Sequence, residues 1–406
     1  MNPPPDPVFD LARRIHEADG SKAVIYASGG GTEIFPWLLG RGGGSATLLG
    51  GRIPYDPADF HAILGADPGK LVDSRAARGL AMAAFRHGLK LRPDLGPGGV
   101  LGIGGTSKLA SGPNERPGRS HEIHLALQTG ERTFARSIAL PQGGDRPAQE
   151  RINALAILNL LAEAKGLAGL PIRPDDLGMV AETFANAASC NHPDLPSLLG
   201  GETPWLAYRL GESGPTATSD SRFGPPPTRL VLPGSFRPLH DGHLRMAELA
   251  SELLGEPCAF ELSLFHPEKP PLDYVSIAHR IKGFENVGGW LLLTDAPTYR
   301  DKARLFPGST FVVGYDTAVR IIEPRWYGGL AARDAMFDEL EALQTRFLVF
   351  GRVDASGRFR DLSAESFEDQ RVARFVERTT RVVAEDQFRS DLSSTSIRLG
   401  AEVDLP

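Results

Sequence analysis

The sequence has very little cysteine, since only Cys190 and Cys258 occur among its 406 residues. Two widely separated cysteines cannot supply a dense disulfide framework or a zinc cluster, so we expect free, buried thiols in a reducing compartment. No apolar run reaches membrane-spanning length, and Met1–Asp6 lacks the basic and apolar regions of a signal peptide. These absences predict a cytoplasmic protein that does not act on membranes.

Basic charge is also scarce. The formal net charge is -6 at pH 7, and no stretch is rich in lysine and arginine. This balance argues against non-specific binding to nucleic acid. Hydrophobic residues make up 41% of the chain, which is enough for sizeable cores. At this length we expect two domains of ordinary size.

Glycine, proline and serine concentrate at one place along the chain. Gly211–Asp220 and Gly224–Pro227 cannot form a packed helix or strand, so they predict a linker. Before this linker, Asp175–Ala188 and Ser197–Leu210 have the pattern of helices. The predicted organisation is therefore an N-terminal domain at 1–170, a helical annex and linker at 171–228, and a C-terminal domain at 229–406.

Strand and helix patterns alternate in the C-terminal part. The strand-like runs are Leu230–Leu232, Phe260–Leu264, Trp290–Leu293, Thr310–Val313 and Arg346–Phe350. Alternation of this kind predicts an α/β fold with a parallel, Rossmann-like sheet that binds ligands at the carboxyl ends of its strands. The N-terminal part is also mixed, and Glu122–Leu127 and Thr133–Ala139 are expected to pair as a hairpin.

The segment after the first of these strands is the most informative part of the chain. It reads Gly-Ser-Phe-Arg-Pro-Leu-His-Asp-Gly-His over 234–243 and precedes an amphipathic pattern at Leu244–Leu254. Because free N–H groups and the helix dipole favour negative charge, a helix start at this place predicts an anion site. Gly242 would let a phosphate approach the backbone, and His240 and His243 could hydrogen-bond the same polyphosphate.

A second phosphate-binding pattern lies near the C-terminus. Ser393, Ser394 and Thr395 combine hydroxyl donors with a helix start, and Arg398 adds a charged fork. In this order the two segments resemble the signatures of the nucleotidylyltransferase superfamily, and among its members the nicotinamide and nicotinate mononucleotide adenylyltransferases. This resemblance covers Arg229–Pro406.

The resemblance implies transfer of AMP from ATP to a mononucleotide with release of pyrophosphate, assisted by Mg²⁺ carried on the phosphates. No metal site made of protein side chains alone is expected. His240 and His243 would hold the phosphates, Lys269 would reach them, and Arg398 would add charge. The residues expected to contact the nucleotides are Gly234, Ser235, Phe236, Gly242, Gly314, Asp316, Trp326, Arg352, Ser393, Ser394 and Thr395. Asp316 is equally explained as a helix cap, Trp326 as a core residue and Lys269 as a solvated surface residue.

The N-terminal part resembles the C-terminal domain of CinA proteins, the nicotinamide mononucleotide deamidases. Gly-rich turns at 29–31, 43–46 and 50–55 and the run Gly144-Asp145-Arg146 carry the resemblance. It implies an α/β/α fold in which Ser45 attacks the carboxamide, Tyr55 transfers or orients a proton and Arg146 anchors a phosphate. Lys108 lies in the altered loop after Gly104-Gly105 and could serve as base or phosphate ligand.

Three interpretations remain open at this point. The first is a two-domain pyridine-nucleotide enzyme in which deamidation feeds adenylyl transfer. The second keeps the transferase but gives it another phosphate acceptor, as in phosphopantetheine or alcohol-phosphate cytidylyltransferases. In the third, the N-terminal domain is a non-catalytic nucleotide sensor or oligomerisation module, because Ala27 and Leu101 replace a glutamate and a threonine of the CinA family. The expected partners are small-molecule nucleotides and further copies of the chain, bound through the N-terminal domain.

Overall fold

The computed structural model divides the chain into two compact units. The N-terminal unit comprises the described residues of Met1–Glu202 and Pro267–Ala278, and the C-terminal unit comprises those of Thr203–His266 and His279–Leu405. The residues that the structure describes are 6–18, 20–112, 115–116, 118–140, 145–172, 183–189, 192–211, 213–218, 226–266, 269–353, 358–362 and 367–388.

The N-terminal unit is built on a mixed six-stranded sheet. Its strands are β1 Lys22–Ser28, β2 Leu48–Arg52, β3 Val100–Lys108, β4 His121–Gln128, β5 Arg132–Leu140 and β6 Thr183–Ser189. They lie in the order β2-β1-β3-β4-β5-β6. The strands β1, β2 and β3 are parallel, whereas β3 to β6 are antiparallel neighbours. The predicted hairpin is confirmed as β4 and β5.

Helices cover both faces of this sheet, so the α/β/α expectation is confirmed. They are α1 Pro7–Glu17, α2 Ile34–Leu39, α3 Pro57–Leu64, α4 Ser74–Leu91, α5 Arg146–Ala164 and α6 Leu195–Gly200. The helices α1, α2 and α5 share one apolar core with the sheet, and α3 and α4 pack on the other face. A Cβ at Gly102 or Gly104 would collide with the α4 backbone, so these two glycines allow the helix to approach β3 closely.

The C-terminal unit is built on an eight-stranded sheet. Its strands are β7 Trp205–Leu210, β8 Thr216–Thr218, β9 Leu230–Pro233, β10 Ala259–Ser263, β11 Gly289–Thr294, β12 Thr310–Gly314, β13 Arg346–Phe350 and β16 Thr380–Val383. The order is β16-β13-β12-β9-β10-β11-β7-β8, and a separate ribbon pairs β14 Arg352–Val353 with β15 Phe359–Arg360. The six strands from β16 to β11 are parallel, and β7 and β8 add an antiparallel edge. The expected parallel, Rossmann-like sheet is confirmed.

Helices follow most of the parallel strands, as the alternation predicts. They are α7 Asp241–Leu254, α8 Tyr274–Lys282, α9 Tyr299–Leu305, α10 Tyr315–Ile322, α11 Leu330–Ala342 and α12 Gln370–Thr379. The division between the units falls within α8, whose residues up to Ala278 belong to the N-terminal unit. One continuous apolar core joins α9, α10, α11 and α12 to the sheet. The buried residues of β9 and β12 are all apolar, because both faces of these central strands are covered.

The structure corrects the predicted helical annex. Where the sequence pattern favours helices at 175–188 and 197–210, the described residues form the strand β6 in the first sheet and the strand β7 in the second, and residues 175–182 lie outside the described residues. Among the described residues of this stretch, only α6 is helical. The strand β8 lies within the predicted linker, which the sequence pattern did not indicate. The residues of β7 from Trp205 to Tyr208 are all buried, so the strand lacks the alternation that distinguishes half-buried strands from helices.

Of the two cysteines, Cys258 is a buried free thiol, as expected, and Cys190 lies outside the described residues. Burial raises the pKa of the Cys258 thiol to about 12, so it remains protonated and unreactive at neutral pH.

Candidate functional site

The turn between β9 and α7 is held by an aromatic cluster. Phe236 is buried and has a φ of 43°. Its ring meets those of Phe260 and Phe284 edge-on, with centroids 5.7 and 5.2 Å away. A Cβ at Gly234 would lie 2.5 Å from the Phe236 ring, so only glycine fits beneath it. The predicted residues Gly234, Ser235 and Phe236 therefore form a tightly specified turn that leads into the helix.

The two predicted histidines lie together at the N-terminus of α7. His240 is the N-cap residue, and its ring stacks on that of His243 with centroids 3.8 Å apart and an interplanar angle of 30°. The His240 backbone N–H donates to His243 Nδ1 at 3.3 Å. Since Nδ1 accepts, the neutral ring carries its proton on Nε2 and can donate from there. Gly242 is buried in the first turn.

Both imidazoles favour the neutral form. Burial and the neighbouring His240 lower the pKa of His243 from 6.5 to about 4. Burial also lowers the pKa of His240, against the opposing charge of Asp241. At neutral pH the pair therefore supplies N–H donors and polarity rather than positive charge.

Positive charge at this turn comes from residues that the sequence patterns did not single out. Arg280, in the last turn of α8, donates from Nε to the Ser235 carbonyl oxygen at 3.1 Å. Burial, together with the charges of Arg280, Arg237 and Lys282, lowers the pKa of the adjacent His279. One feature of the sequence could have indicated these cations. It is the basic run His279-Arg280-Ile281-Lys282, which follows the second parallel strand.

The site lies at the switch point of the C-terminal sheet. The central strand β9 has β10 and β11 on one side and β12 and β13 on the other. Open α/β sheets bind ligands where the strand order reverses, at the carboxyl ends of the strands. Here β9 ends at the turn to His240, and β12 ends at Gly314, the N-cap of α10. Nothing lies within 4 Å of where a Cβ of Gly314 would be, so this residue borders open space.

Two further predicted residues pair beside this point. Asp316 lies in the first turn of α10, and its carboxylate accepts a hydrogen bond from Arg352, two residues past the end of β13. Both side chains are exposed. The structure therefore brings Gly314, Asp316 and Arg352 together at the carboxyl ends of adjacent strands.

Trp326 lies after α10 and is 41% exposed, so it is not a core residue. Its indole Nε1 donates to Glu323 at 3.1 Å. The guanidinium groups of Arg325 and Arg320 lie 4.9 and 5.9 Å from its ring centroid. Stacking of a ligand ring on Trp326 stays a prediction. The structure adds two arginines beside the indole ring.

The second phosphate pattern cannot be placed. Ser393, Ser394, Thr395 and Arg398 lie outside the described residues. The last described residue is Phe388, whose ring packs edge-on against Phe350 at the carboxyl end of β13, with centroids 4.9 Å apart. The role of this pattern stays a prediction.

Lys269 does not join the histidines within one unit. It is exposed, and its segment belongs to the N-terminal unit. There Tyr274 N donates to Thr133 Oγ1 at 2.9 Å, and Arg78 Nε donates to Asp273 at 3.3 Å. The sequence places Lys269 shortly after the second parallel strand, and these contacts, which no local pattern indicates, hold the segment within the N-terminal unit. Its role toward the phosphates stays a prediction.

The predicted N-terminal site is divided between two edges of its sheet. Ser45 lies in a short 3-10 helix before β2, and its carbonyl oxygen accepts from Lys22 Nζ at 2.8 Å, where β1 begins. Tyr55 follows the carboxyl end of β2 and is 80% exposed. The length of β1 separates these edges by about 20 Å, so the structure does not bring Ser45 to Tyr55.

The other two predicted residues lie at the carboxyl edge. Arg146 donates to the Gly29 carbonyl at 3.0 Å and to the Ala110 carbonyl at 3.3 Å. Lys108 ends β3 and pairs with Glu122 at 3.0 Å. Arg146 therefore links the loop at Gly29 to the loop at Ala110 through two hydrogen bonds. Lys108 belongs to a group of polar side chains on the α4 face of the sheet.

Within the described residues, no cluster of three or more His, Cys, Asp or Glu side chains could hold a metal ion. None of the described helices is both long and apolar enough to cross a membrane.

Comparison with known proteins gave a family match for the C-terminal part. Residues 231–400 match the family described as cytidylyltransferase-like. This match confirms the nucleotidylyltransferase resemblance of the C-terminal part. A comparison with curated proteins gave no match.

The chain is also similar to solved structures of competence proteins. A competence/damage inducible protein CihA from Agrobacterium tumefaciens is 18% identical, with a TM-score of 0.32 over 40% of this chain and 99% of that one. A CinA superfamily protein from Klebsiella pneumoniae is 14% identical, with a TM-score of 0.29 over 39% of this chain and 96% of that one. A competence or damage-inducible protein from Enterobacter asburiae is 18% identical, with a TM-score of 0.31 over 39% and 98%.

Proposed function

We propose that the cytidylyltransferase-like domain transfers AMP from ATP to nicotinate or nicotinamide mononucleotide and releases pyrophosphate. The observation that carries this proposal is the arrangement at the switch point. His240 and His243 begin α7 after β9, and Gly314, Asp316 and Arg352 follow the next two strands. One edge of the sheet therefore offers a helix N-terminus, paired imidazoles and arginines to a polyphosphate.

The reaction needs no covalent enzyme intermediate. An oxygen of the acceptor phosphate attacks the α-phosphorus of ATP, a new P–O bond forms, and the bond to the β-phosphate breaks. His243 Nε2–H would donate to the α-phosphate, and the first-turn N–H groups of α7 would hold the adjacent phosphates. Arg237 and Arg280 would offset the charge that develops on the leaving pyrophosphate. Mg²⁺ would enter on the phosphate oxygens, which it prefers together with water.

The surroundings of Trp326 favour nicotinate over nicotinamide mononucleotide. A pyridine ring stacked on the indole would lie near the guanidinium groups of Arg320 and Arg325. Arg325 also pairs with Glu323 at 2.6 Å, so the attraction of a nicotinate carboxylate must exceed the repulsion from Glu323. A nicotinamide ring offers these cations only a neutral carboxamide beside its positive nitrogen. We therefore infer the acid as the better acceptor.

A second candidate keeps the same chemistry with CTP and another phosphate acceptor. The family description, cytidylyltransferase-like, favours keeping this candidate open. It differs from the first in the base that the site must accept and in the acceptor that lies against Trp326.

The test is a substrate panel with the full-length chain. ATP and CTP are each combined with Mg²⁺ and nicotinate mononucleotide, nicotinamide mononucleotide or phosphopantetheine, and pyrophosphate and the dinucleotide product are measured. The proposal expects product from ATP with a pyridine mononucleotide, fastest with the acid. Product only from CTP or only with phosphopantetheine would establish the second candidate. Absence of pyrophosphate with every pair would refute both.

Two variants test whether His243 belongs to the transferase site. His243→Ala is expected to lower turnover by at least about 100-fold, because it removes a donor to the reacting phosphate. His61→Ala, on the surface of the N-terminal unit, is the matched control and should retain full activity. Equal activity of the two variants would exclude His243 from the site.

A further inference from the structure

A row of polar side chains crosses the N-terminal sheet where α4 begins. In register, Thr106 of β3 lies opposite His124 of β4, and His124 lies opposite Ser137 of β5. One step further toward the edge, Lys108 lies opposite Glu122. Alternate residues of a strand share a face, so these side chains lie on the α4 face of the sheet, beyond the close contact at Gly104.

Four of these side chains form a continuous chain of polar contacts. Ser137 Oγ and His124 Nδ1 are 2.7 Å apart. The other ring nitrogen, His124 Nε2, lies 3.3 Å from Glu122 Oε2, which is an ion-pair distance without hydrogen-bond geometry. The second carboxylate oxygen, Glu122 Oε1, accepts from Lys108 Nζ at 3.0 Å. The order is therefore hydroxyl, imidazole, carboxylate and ammonium.

This order favours one direction for the proton. Burial is the largest single influence on Glu122 and opposes its ionisation, but the hydrogen bond and charge of Lys108 together with His124 outweigh burial, so the pKa of the carboxyl is lowered. An ionised carboxylate beside Nε2 favours the tautomer with its proton on Nε2. Nδ1 is then the acceptor, and Ser137 donates its hydroxyl proton to it. A nucleophile, a base and a group that orients the base thus stand in sequence.

The start of α4 lies at the Thr106 end of this row, across β4 from Ser137. The Thr106 hydroxyl, in the same row, is 3.5 Å from the carbonyl oxygen of Asp73, the N-cap of α4. The Asp73 carboxylate accepts from Ala76 N, while the N–H groups at the start of a helix have no partner within it. Ser137 is partly exposed, and the side chains of His124 and Glu122 are 13% and 29% exposed, so the row is open to solvent at its edge.

We propose that Ser137, His124 and Glu122 form a second hydrolytic site, which acts on small carboxylic esters or carboxamides and is independent of the nucleotidyl transfer proposed above. Ser137 Oγ bonds to the carbonyl carbon as its proton passes to His124 Nδ1. The tetrahedral intermediate collapses, the bond to the alcohol or amine breaks, and the leaving group takes that proton. Water then attacks the acyl carbon and returns a proton through His124 to Ser137, which releases the carboxylic acid.

In this proposal Ser137 and His124 are catalytic residues, and Glu122 is a positioning residue that acts through His124. Lys108 keeps Glu122 ionised. The nucleophile of the N-terminal unit is then Ser137 rather than Ser45, which lies at the opposite edge.

The experiment uses the full-length chain and a fluorophosphonate probe, followed by peptide mass spectrometry. 4-Nitrophenyl acetate serves as the ester and nicotinamide mononucleotide as the carboxamide. We expect the label on the peptide that contains Ser137. Ser137→Ala and His124→Gln should each lose at least about 100-fold in labelling rate and in hydrolysis of whichever probe is turned over. Ser120→Ala, an exposed serine just before β4, should match the unaltered chain.

Glu122→Gln tests positioning. It should retain the labelling site but reduce its rate and alter its dependence on pH, because the amide no longer fixes the tautomer of His124. Folding is checked with all variants by pyrophosphate release at the C-terminal site, or by circular dichroism if that activity is absent, so failure of one proposal is distinguishable from failure of the other. A label mapped to Ser45, labelling unchanged by Ser137→Ala, or an unaltered chain that neither reacts with the probe nor hydrolyses either substrate would overturn the proposal.

Discussion

The half-buried His243 of the candidate transferase site makes the stability of the C-terminal unit depend on pH. The pKa of His243 is lowered from 6.5 to about 4 by burial and by His240. The unfolded chain therefore binds the proton more tightly than the folded one, and protonation favours unfolding. This contribution to stability is complete above the unfolded value, declines as the pH falls below it, and levels off once the pH is below the folded value.

The size of the effect follows from the two pKa values. Between about pH 7 and about pH 5 the His243 contribution falls by about 2 kcal/mol, and the limit at still lower pH is about 3 kcal/mol. His243→Gln removes the titration and keeps an acceptor for the His240 backbone N–H. We expect the unaltered chain to lose about 2 kcal/mol more unfolding free energy over this interval than the variant does.

Urea unfolding followed by tryptophan fluorescence provides the assay. Trp205, Trp290 and Trp326 lie in the C-terminal unit and only Trp37 in the other, so the signal reports chiefly the relevant unit. His61→Gln, at an exposed position of the N-terminal unit, should follow the unaltered chain. Parallel pH profiles for the unaltered chain and His243→Gln would refute the assignment of a depressed pKa to this imidazole.

Three further perturbations test other contacts. Lys302→Met removes the ammonium group that lies 2.9 Å from the buried Glu261 carboxylate, and it should lower the unfolding free energy measured in urea by about 3 to 5 kcal/mol. Adding Glu261→Leu removes the unpaired carboxylate and should recover most of that loss. Gly104→Ala places a methyl group against the α4 backbone and should cost about 3 kcal/mol in the N-terminal unit, read as a lower melting temperature in calorimetry; an unchanged melting temperature would contradict the close packing. Arg280→Met removes the hydrogen bond to the Ser235 carbonyl and should raise the KM for the nucleoside triphosphate about 10-fold, and an unaltered KM would remove Arg280 from the site.

The sequence is sufficient to predict the elements that carry strong local patterns. The apolar run Leu230–Leu232 is strand β9, and the amphipathic run Leu244–Leu254 forms all but the first turn of α7. Both patterns follow from burial, which acts on every residue of a central parallel strand and on one face of a surface helix. The expectation that the turn between them binds an anion stays a prediction, and it rests on local backbone geometry at the start of α7.

Strands stabilised by distant partners were beyond prediction. The strand β7 pairs antiparallel with β11, which lies about eighty residues later, and β6 pairs with β5 on the edge of the first sheet. Their leucines and alanines favour helices in isolation, and the pairing partners decide the outcome. Tertiary context outweighs local propensity in these places.

The placement of single side chains depended on the same distant contacts. Ser45 was matched to a nucleophile by spacing alone, but spacing does not specify the edge of the sheet at which a turn lies. Lys22 shows that Ser45 lies where β1 begins. His124 and Ser137 are thirteen residues apart and become neighbours only through the register of β4 and β5. A one-residue slip would send either side chain to the opposite face.

At the candidate transferase site, the neutral histidines and the charged arginines have different electrostatic roles. His240 and His243 are neutral at ordinary pH, so they cannot attract a triphosphate by charge, and their stacked rings fix the direction of their N–H donors. The attraction must come from cations, and Arg237 and Arg280 surround the same turn. Arg352 is held by the exposed Asp316, from which a bound phosphate, with its greater charge, can draw it away. An anion bound at this turn would in turn favour protonation of the imidazoles, so its binding would be coupled to proton uptake.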